Sequence, residues 1–373
     1  MNHTGFASSG CILATLILHA ATVFGQVDHS TVGGYSITYT DLLPAGQTTG
    51  LAYGIVGGQQ VGGSGCPGIW AGTAGSFVNL TPPGASGAEI FDTTGSQQAG
   101  YAYFPNGGSQ AGIWSGTAGS FQSLHPAGAV ASLAHATSGN QQVGYTDFGN
   151  DYLHHASLWT GTASSFVDLH PSWAHISYAW DTSGSRQVGS VSAAAWYYQN
   201  HAALWSGTAS SFVDLNPPGA SFSVAYGIAG NQIAGYALFA SGGDWHAGYW
   251  SGTAGSFVDL HPAGATKSLA AATTGQFQAG SVNYGGGADW HAVVWFGSAS
   301  AMLDLQAALG PGYSTSEANA LWTDGSVIQV AGNANNSAGY PVPILWTITQ
   351  VPEPGVLAIG LIGVISLYRL RRG

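Results

Sequence analysis

Aspartate and histidine recur together along this chain of 373 residues. Asp168 and His170, and again Asp259 and His261, stand two residues apart, which places both side chains on one face of a strand. Such a pair could give a metal ion two ligands, but a site needs at least a third. No third ligand is evident, and Thr81, Asn216 and Gln306 take the histidine's place in other copies of the motif. No metal and no cofactor is therefore expected. Asp41, Asp168, Asp214, Asp259 and Asp304 read instead as acceptors for turn amides. A second set, His155, His201, His246 and His291, puts one histidine in each repeat, so its members are spread apart. Each reads as a local hydrogen-bonded tie, not as part of a ligand ring.

Catalysis would call for acids that break the repeat. Glu89 and Glu317 are the only glutamates ahead of the C-terminal segment. Asp92 and Asp181 occupy equivalent first-strand ends in the second and fourth repeats, close to the expected mouth of a central channel. A glycoside hydrolase works with two carboxylates, and these four form the pool. Sialidase or lyase chemistry would want clustered arginines, and only Arg186 is at hand. There is no Gly-x-Ser-x-Gly elbow, metalloprotease helix or phosphate-binding loop. The expectation is a non-enzymatic binding protein, with a polysaccharide-active hydrolase or lyase as the alternative.

Binding has better material. Trp173, Trp180, Trp196, Trp245, Trp290 and Trp322 fall outside the repeated tryptophan position. Trp245 and Trp290 follow glycine-rich loops in Asp244-Trp245-His246 and Asp289-Trp290-His291, and they are the candidate ligand platform. Aromatic faces with few charges suit stacking on sugar rings; packing between repeats is the competing reading for any one of them. The expected partners are an exopolysaccharide or a surface protein.

The elements that hold these residues follow from a period. Trp70, Trp114, Trp159, Trp205, Trp250, Trp295 and Trp346 are separated by 44, 45, 46, 45, 45 and 51 residues. About 45 residues suits one propeller blade. In the fifth repeat, Ser223–Ile228, Gln232–Phe239, His246–Trp250 and Ser256–Leu260 read as four strands joined by glycine- and asparagine-bearing turns. First strands such as Ser132–Ala136, Ser223–Gly227 and Ser268–Ala272 are small-sided, which fits the narrow centre of a disc. The last repeat lacks its Asp-Leu strand, while an unpartnered Tyr39-Thr-Asp-Leu42 stands before the first. The expected fold is an all-β, seven-bladed β-propeller of about 45-residue, four-stranded repeats, closed by an N-terminal strand.

Composition agrees. Charged residues make up 6% of the chain, far below the usual ~25%. With 45% apolar and 12% aromatic residues, the chain has material for a core, and its 58 glycines supply tight turns. Outside the C-terminal segment the only cations are Arg186 and Lys267, so a nucleic-acid partner is excluded. Cys66 is the single cysteine beyond residue 25, so no intrachain disulfide is expected in the domain.

Residues 1–25, with an apolar run from Cys11 to Phe24, read as a signal peptide, and 26–350 as the propeller. Residues 351–373 hold Val351-Pro352-Glu353-Pro354, an apolar stretch Gly355–Tyr368, and Arg369, Arg371 and Arg372. That stretch is expected to form a transmembrane helix, short at about 21 Å and helped by arginine snorkelling. The arginines would stay on the cytoplasmic side.

This tripartite tail resembles the PEP-CTERM sorting signal of Gram-negative bacteria. The resemblance implies an exosortase as partner, tail processing, and delivery to the cell surface or an extracellular matrix. The segments His155-Ala-Ser-Leu-Trp159, His201-Ala-Ala-Leu-Trp205 and His291-Ala-Val-Val-Trp295 resemble HAF-type extracellular repeats, although blades one and two lack the histidine.

Overall fold

The computed structural model describes residues 30–351, except 33, 106, 150–152, 195–198, 240–243, 286 and 288. Seven antiparallel sheets are present among them, six with four strands and one with five. The fourth blade is representative. Its strands are Ile176–Ser183, Arg186–Ser192, Asn200–Trp205 and Val213–Asp214, in that order outward from the centre. The seven-bladed expectation is met.

Ring closure is also as read. Tyr35–Asp41 lies against Pro341–Gln350 with seven aligned pairs, from Tyr35 opposite Gln350 to Asp41 opposite Ile344. It therefore supplies the fourth strand of blade 7, and Ser30–Val32 adds a fifth. Leu42, Ala331 and Leu345 then pack against Ala52, Ile55 and Trp70 of blade 1, so the first and last blades share a core.

Seven such core clusters sit between neighbouring blades. The repeated tryptophans are their largest members, each 0–1% exposed. Trp205 of blade 4 packs on Val143 and Leu158 of blade 3, and Trp114 of blade 2 donates its indole N–H to the Leu80 carbonyl of blade 1 at 2.9 Å. The 45-residue period is thus the spacing of the keystones between blades.

The fifth blade shows where the sequence reading was off. Its strands are Ala220–Ala229, Gln232–Phe239, Asp244–Trp250 and Val258–Asp259. Ser256 belongs to a 3-10 turn, Ala254–Ser256, and not to the fourth strand. Its Oγ accepts the Ser251 backbone N–H at 2.8 Å and donates to the Thr253 carbonyl at 2.6 Å, which holds the turn.

First and third strands run one way across the disc, second and fourth the other. The loops into the third strand and the connections between blades therefore emerge on one face, here the upper. Turns from first to second strand, and the 3-10 loops, emerge on the lower face. The third strand of blade 7 ends on the lower face, where Val351 donates its backbone N–H to the Gly34 carbonyl at 2.8 Å.

Residues 1–25, Pro352, Glu353, Pro354, the expected membrane helix at 355–368 and Arg369, Arg371 and Arg372 lie outside the described residues. Among the described residues no helix is long and apolar enough to cross a membrane.

Candidate functional site

The first strand of every blade carries a β-bulge at the same place. The extra residue is Tyr53, Phe91, His135, Trp180, Tyr226, Ala271 and Asn319 in blades 1 to 7. A bulge re-aims one side chain away from the regular alternation. Here the re-aimed rings meet from blade to blade: Tyr53–Phe91 at 5.5 Å, Phe91–His135 at 5.6 Å, His135–Trp180 at 4.4 Å and Trp180–Tyr226 at 5.9 Å between centroids. The expectation of a uniformly small-sided innermost strand is corrected by this. The small residues it relied on in blades 3 and 5 flank the bulge. In blades 1 to 5 the channel receives a ring, while in blade 6 the bulge residue is itself the small Ala271.

Above this layer, between blades 3, 4 and 5, lies a cavity of about 390 Å³. Blade 3 contributes His135, Tyr145 and His154; blade 4 contributes Tyr178, Trp180, Ser190 and Asn200; blade 5 contributes Phe222, Val224, Tyr226 and Tyr236. A larger depression of about 530 Å³ on the lower face is edged by glycine turns of blades 1 and 2 and gathers no titratable side chain.

Both cavity histidines have fixed tautomers. His154 Nδ1 is 2.5 Å from a carboxylate oxygen of buried Asp147, which only accepts, so Nδ1 carries the proton. His135 Nδ1 lies 3.3 Å from the Ala179 carbonyl and donates for the same reason. Burial pushes the His135 pKa down to about 4, with the nearby His154 adding to the effect, so His135 is neutral at neutral pH. Each ring presents Nε2.

Trp245 and Trp290, the platform expected from sequence, stand on the upper face at the position held by His154 and Asn200 in blades 3 and 4. All four immediately precede the repeated histidine of the third strand. Both indoles are half-buried and 6.4 Å apart. Trp245 also meets Tyr236 at 5.2 Å, and Tyr236 meets Tyr226 at 5.9 Å. The platform and the cavity are therefore joined ring to ring, from His135 to Trp290. Lys267 Nζ stands 5.0 Å from the Trp245 ring centroid. Trp173 is exposed beside Phe212, Trp322 packs between blades 7 and 1, and Trp196 lies outside the described residues.

Of the four carboxylates, Asp92 and Asp181 lie close enough for the charge of one to act on the other. Asp92 and Asp181 directly follow the bulge of their strands, and each reaches sideways to the next blade. Asp92 Oδ2 accepts the Thr137 N–H at 2.8 Å, and Asp181 Oδ2 accepts the Ile228 N–H at 2.7 Å. Burial raises the Asp92 pKa to about 6, and burial together with the charge of Asp92 raises that of Asp181 to about 8. Glu89 and Glu317 share a level two residues before the bulge, in blades 2 and 7, and burial raises both. Glu89 bonds to Tyr101.

The repeated histidines act as ties. His155, His201, His246 and His291 reach Asp168, Asp214, Asp259 and Asp304 on the outer strand at 2.7–2.9 Å. The other oxygen of Asp168 accepts the His170 N–H at 2.8 Å. His170 in turn donates from Nε2 to the Ala174 carbonyl at 3.1 Å, so its Nδ1 accepts from Ser177 Oγ at 2.8 Å. Ser177 Oγ accepts the Ala156 N–H at 2.9 Å and thereby latches blade 4 to blade 3. The Asp-x-His pairs are thus spent on turns and latches. Among the described residues no three metal-binding side chains stand together.

Sequence reasoning missed the bulge ring because its residue type changes at every blade. A constant signal was present in the facing strand. Gly62, Gly100, Gly144, Gly189, Gly235, Gly280 and Gly332 recur there, and a Cβ on any of them would lie 1.8–2.0 Å from a first-strand carbonyl oxygen. Glycine inside a strand pattern marks such a close approach.

No protein-family model matches the chain, and no curated protein matches it. Among solved structures it is similar to putative TolB from Agrobacterium tumefaciens, with a TM-score of 0.45 and 13% identity over 60% of this chain and 87% of that one. It is similar to the tricorn protease, with a TM-score of 0.43 and 12% identity over 83% and 32%. A structure from a study of two prolyl endopeptidases gives a TM-score of 0.46 and 10% identity over 86% and 48%. The chain spans about a third and about half of the last two. Nothing about ligand or chemistry passes from these likenesses to this chain.

Proposed function

We propose that this chain is an exported, surface-tethered, non-enzymatic propeller that binds glycan on its upper face. The observation that carries the reading is the unbroken series of ring contacts from His135 to Trp290, which offers apolar faces with Lys267 beside Trp245. The tether is residues 351–373, through the PEP-CTERM resemblance, with an exosortase as partner. Leaving from the lower face at Val351, the tail would turn the aromatic face outward.

The experiment is retention of residues 26–350 on matrix polysaccharide. Trp245→Ala with Trp290→Ala removes two stacking contacts of ~0.5–1.5 kcal/mol each, so retention falls about tenfold while the domain stays folded. Unchanged retention rejects these residues as the platform. For the tether, the location of the protein and the presence of its tail are compared with and without exosortase.

A second reading rests on Asp181 and Asp92, one carboxyl raised to about 8 and the other to about 6, an acid and a base of the kind a polysaccharide-active hydrolase or lyase uses. It requires glycan turnover that Asp181→Asn or Asp92→Asn abolishes.

A further inference from the structure

The cavity between blades 3, 4 and 5 is distinct from the tryptophan pair on the rim, and its walls specify more than an aromatic surface does. We infer that it binds one or two neutral pyranose residues at the end of a glycan chain. This rests on the glycan reading above and names the part of the glycan that would enter.

Size comes first. About 390 Å³ lies near the lower end of the ~300–1,000 Å³ usual for small-molecule sites. That is room for a short saccharide, not for a folded polymer segment. Toward the bulge layer its wall is made of His135, Trp180 and Tyr226, which touch in sequence, so the terminal sugar of a chain entering from the upper face would meet their rings.

Chemistry comes second. A pyranose has apolar C–H faces and a rim of hydroxyls, each able to donate. Rings from three blades supply the matching apolar walls. The Ala179 carbonyl and the Asp147 carboxylate hold a proton on Nδ1 of His135 and His154, so in the neutral ring Nε2 is the acceptor. These are acceptors for sugar hydroxyls, and the Asn200 amide, with its side chain at the wall, offers both a donor and an acceptor.

Charge comes third. Among the described residues no carboxylate, lysine or arginine lines the space, and Asp147, behind His154, is engaged by it. An acidic or cationic sugar would enter without a counter-charge, which disfavours it.

The test uses the purified full-length chain with methyl glucopyranoside, methyl galactopyranoside, methyl mannopyranoside and N-acetylglucosamine, and with glucuronic acid and glucosamine as charged controls. Saturation-transfer NMR reads binding, and competition against polysaccharide retention reads the site. At least one neutral sugar is expected to bind and to compete. Val224→Phe, which fills the cavity, is expected to weaken that binding at least tenfold, and His154→Ala severalfold. Trp173→Ala, exposed beside Phe212 and outside the cavity lining, should leave free-sugar binding unchanged. Should Val224→Phe unfold the ring, His154→Ala decides alone.

The inference is overturned if no neutral sugar binds, if the charged controls bind better, or if folded Val224→Phe and His154→Ala bind as the parent does. Polymer retention that depends on Trp245 and Trp290 while free sugars fail to bind sinks the cavity and leaves the rim reading standing. Sugar binding that Val224→Phe removes, with no polymer retention by the parent, does the reverse.

Discussion

A Cβ added to Gly189 would lie 1.8 Å from the carbonyl oxygen of Tyr178. The bulge that inserts Trp180 between Ala179 and Asp181 draws the first and second strands of blade 4 together, and only a residue without a side chain fits opposite. Gly189→Ala must force the strands apart. The expected loss is ~1–3 kcal/mol or more, seen as a clear fall in melting temperature. Gly119→Ala is the control: it sits in a lower-face 3-10 turn with open space around its Cα, and it should be neutral or slightly stabilising. A mild effect at Gly189 would mean that the bulge does not depend on this close approach.

The second prediction concerns pH. Burial holds the Asp181 carboxyl protonated up to about pH 8, whereas in the unfolded chain it ionises near its ordinary value of 3.8. Between those values the unfolded chain binds fewer protons, so this group makes stability fall as pH rises. Asp92 acts in the same direction up to about 6. His135 acts oppositely, costing stability as pH falls from its ordinary 6.5 towards about 4. The clean measurement is therefore a difference. The melting temperature of Asp181→Asn, relative to the parent, should climb between pH 5 and pH 8, because the amide keeps an acceptor for the Ile228 N–H without the buried charge. Asp181→Ala strands the N–H groups of Ile228 and Thr182 and should cost ~1–3 kcal/mol at every pH. A flat difference curve for Asp181→Asn would show that the carboxyl titrates normally.

The third prediction uses the protein's own variation. Ser177→Ala removes the buried acceptor of the Ala156 N–H and the donor to His170, and should cost ~1–3 kcal/mol. His170→Asn should be tolerated. At the next junction Asn216 already does the same work, accepting from Ser223 Oγ at 2.7 Å and donating to the Ala220 carbonyl at 2.9 Å. His170→Ala, which has neither group, should resemble Ser177→Ala. Thermal unfolding of the three variants decides it, and equal losses for the asparagine and alanine variants would break the equivalence.

These contacts also explain what could be read from the chain beforehand. The tryptophan period was legible because each tryptophan meets the same demand, filling the space against the preceding blade, and few side chains are large enough to replace it. The aspartate of the Asp-Leu-His motif was legible as a turn acceptor, whereas the link that His170, Asn216 and Gln306 each make to the first strand of the next blade was not, because three residue types do that work. The cavity was not legible. Its walls come from a channel position whose occupants, from Tyr53 through Trp180 to Ala271, share no chemical type, and the bulge that aims them leaves its mark only on the facing glycines. Trp245 and Trp290 could be picked out by their departure from the repeat, but their contact with Tyr236 and the cavity depends on blade order in space.

The last prediction concerns closure. Tyr35–Asp41 forms all seven pairs with Pro341–Gln350, and Ile37 and Tyr39 are buried in the core shared by blades 6 and 7. Removing Tyr35–Gly46 therefore does more than trim an edge. It strips the outer strand from blade 7, takes Leu42 out of the core shared with blade 1, and leaves the 341–350 edge unpaired. In a closed ring every blade has two neighbours, so losing one junction lowers the cooperativity of all seven. The deletion should lower the melting temperature of the whole domain and broaden the transition followed by tryptophan fluorescence. Ile37→Ala, which leaves a cavity but keeps the strand, should cost ~2–5 kcal/mol and preserve a single sharp transition. If the deletion instead produced a small, local loss with the remaining blades melting as before, the seven blades would behave as a linear stack, and the N-terminal strand would be an ornament on its last member.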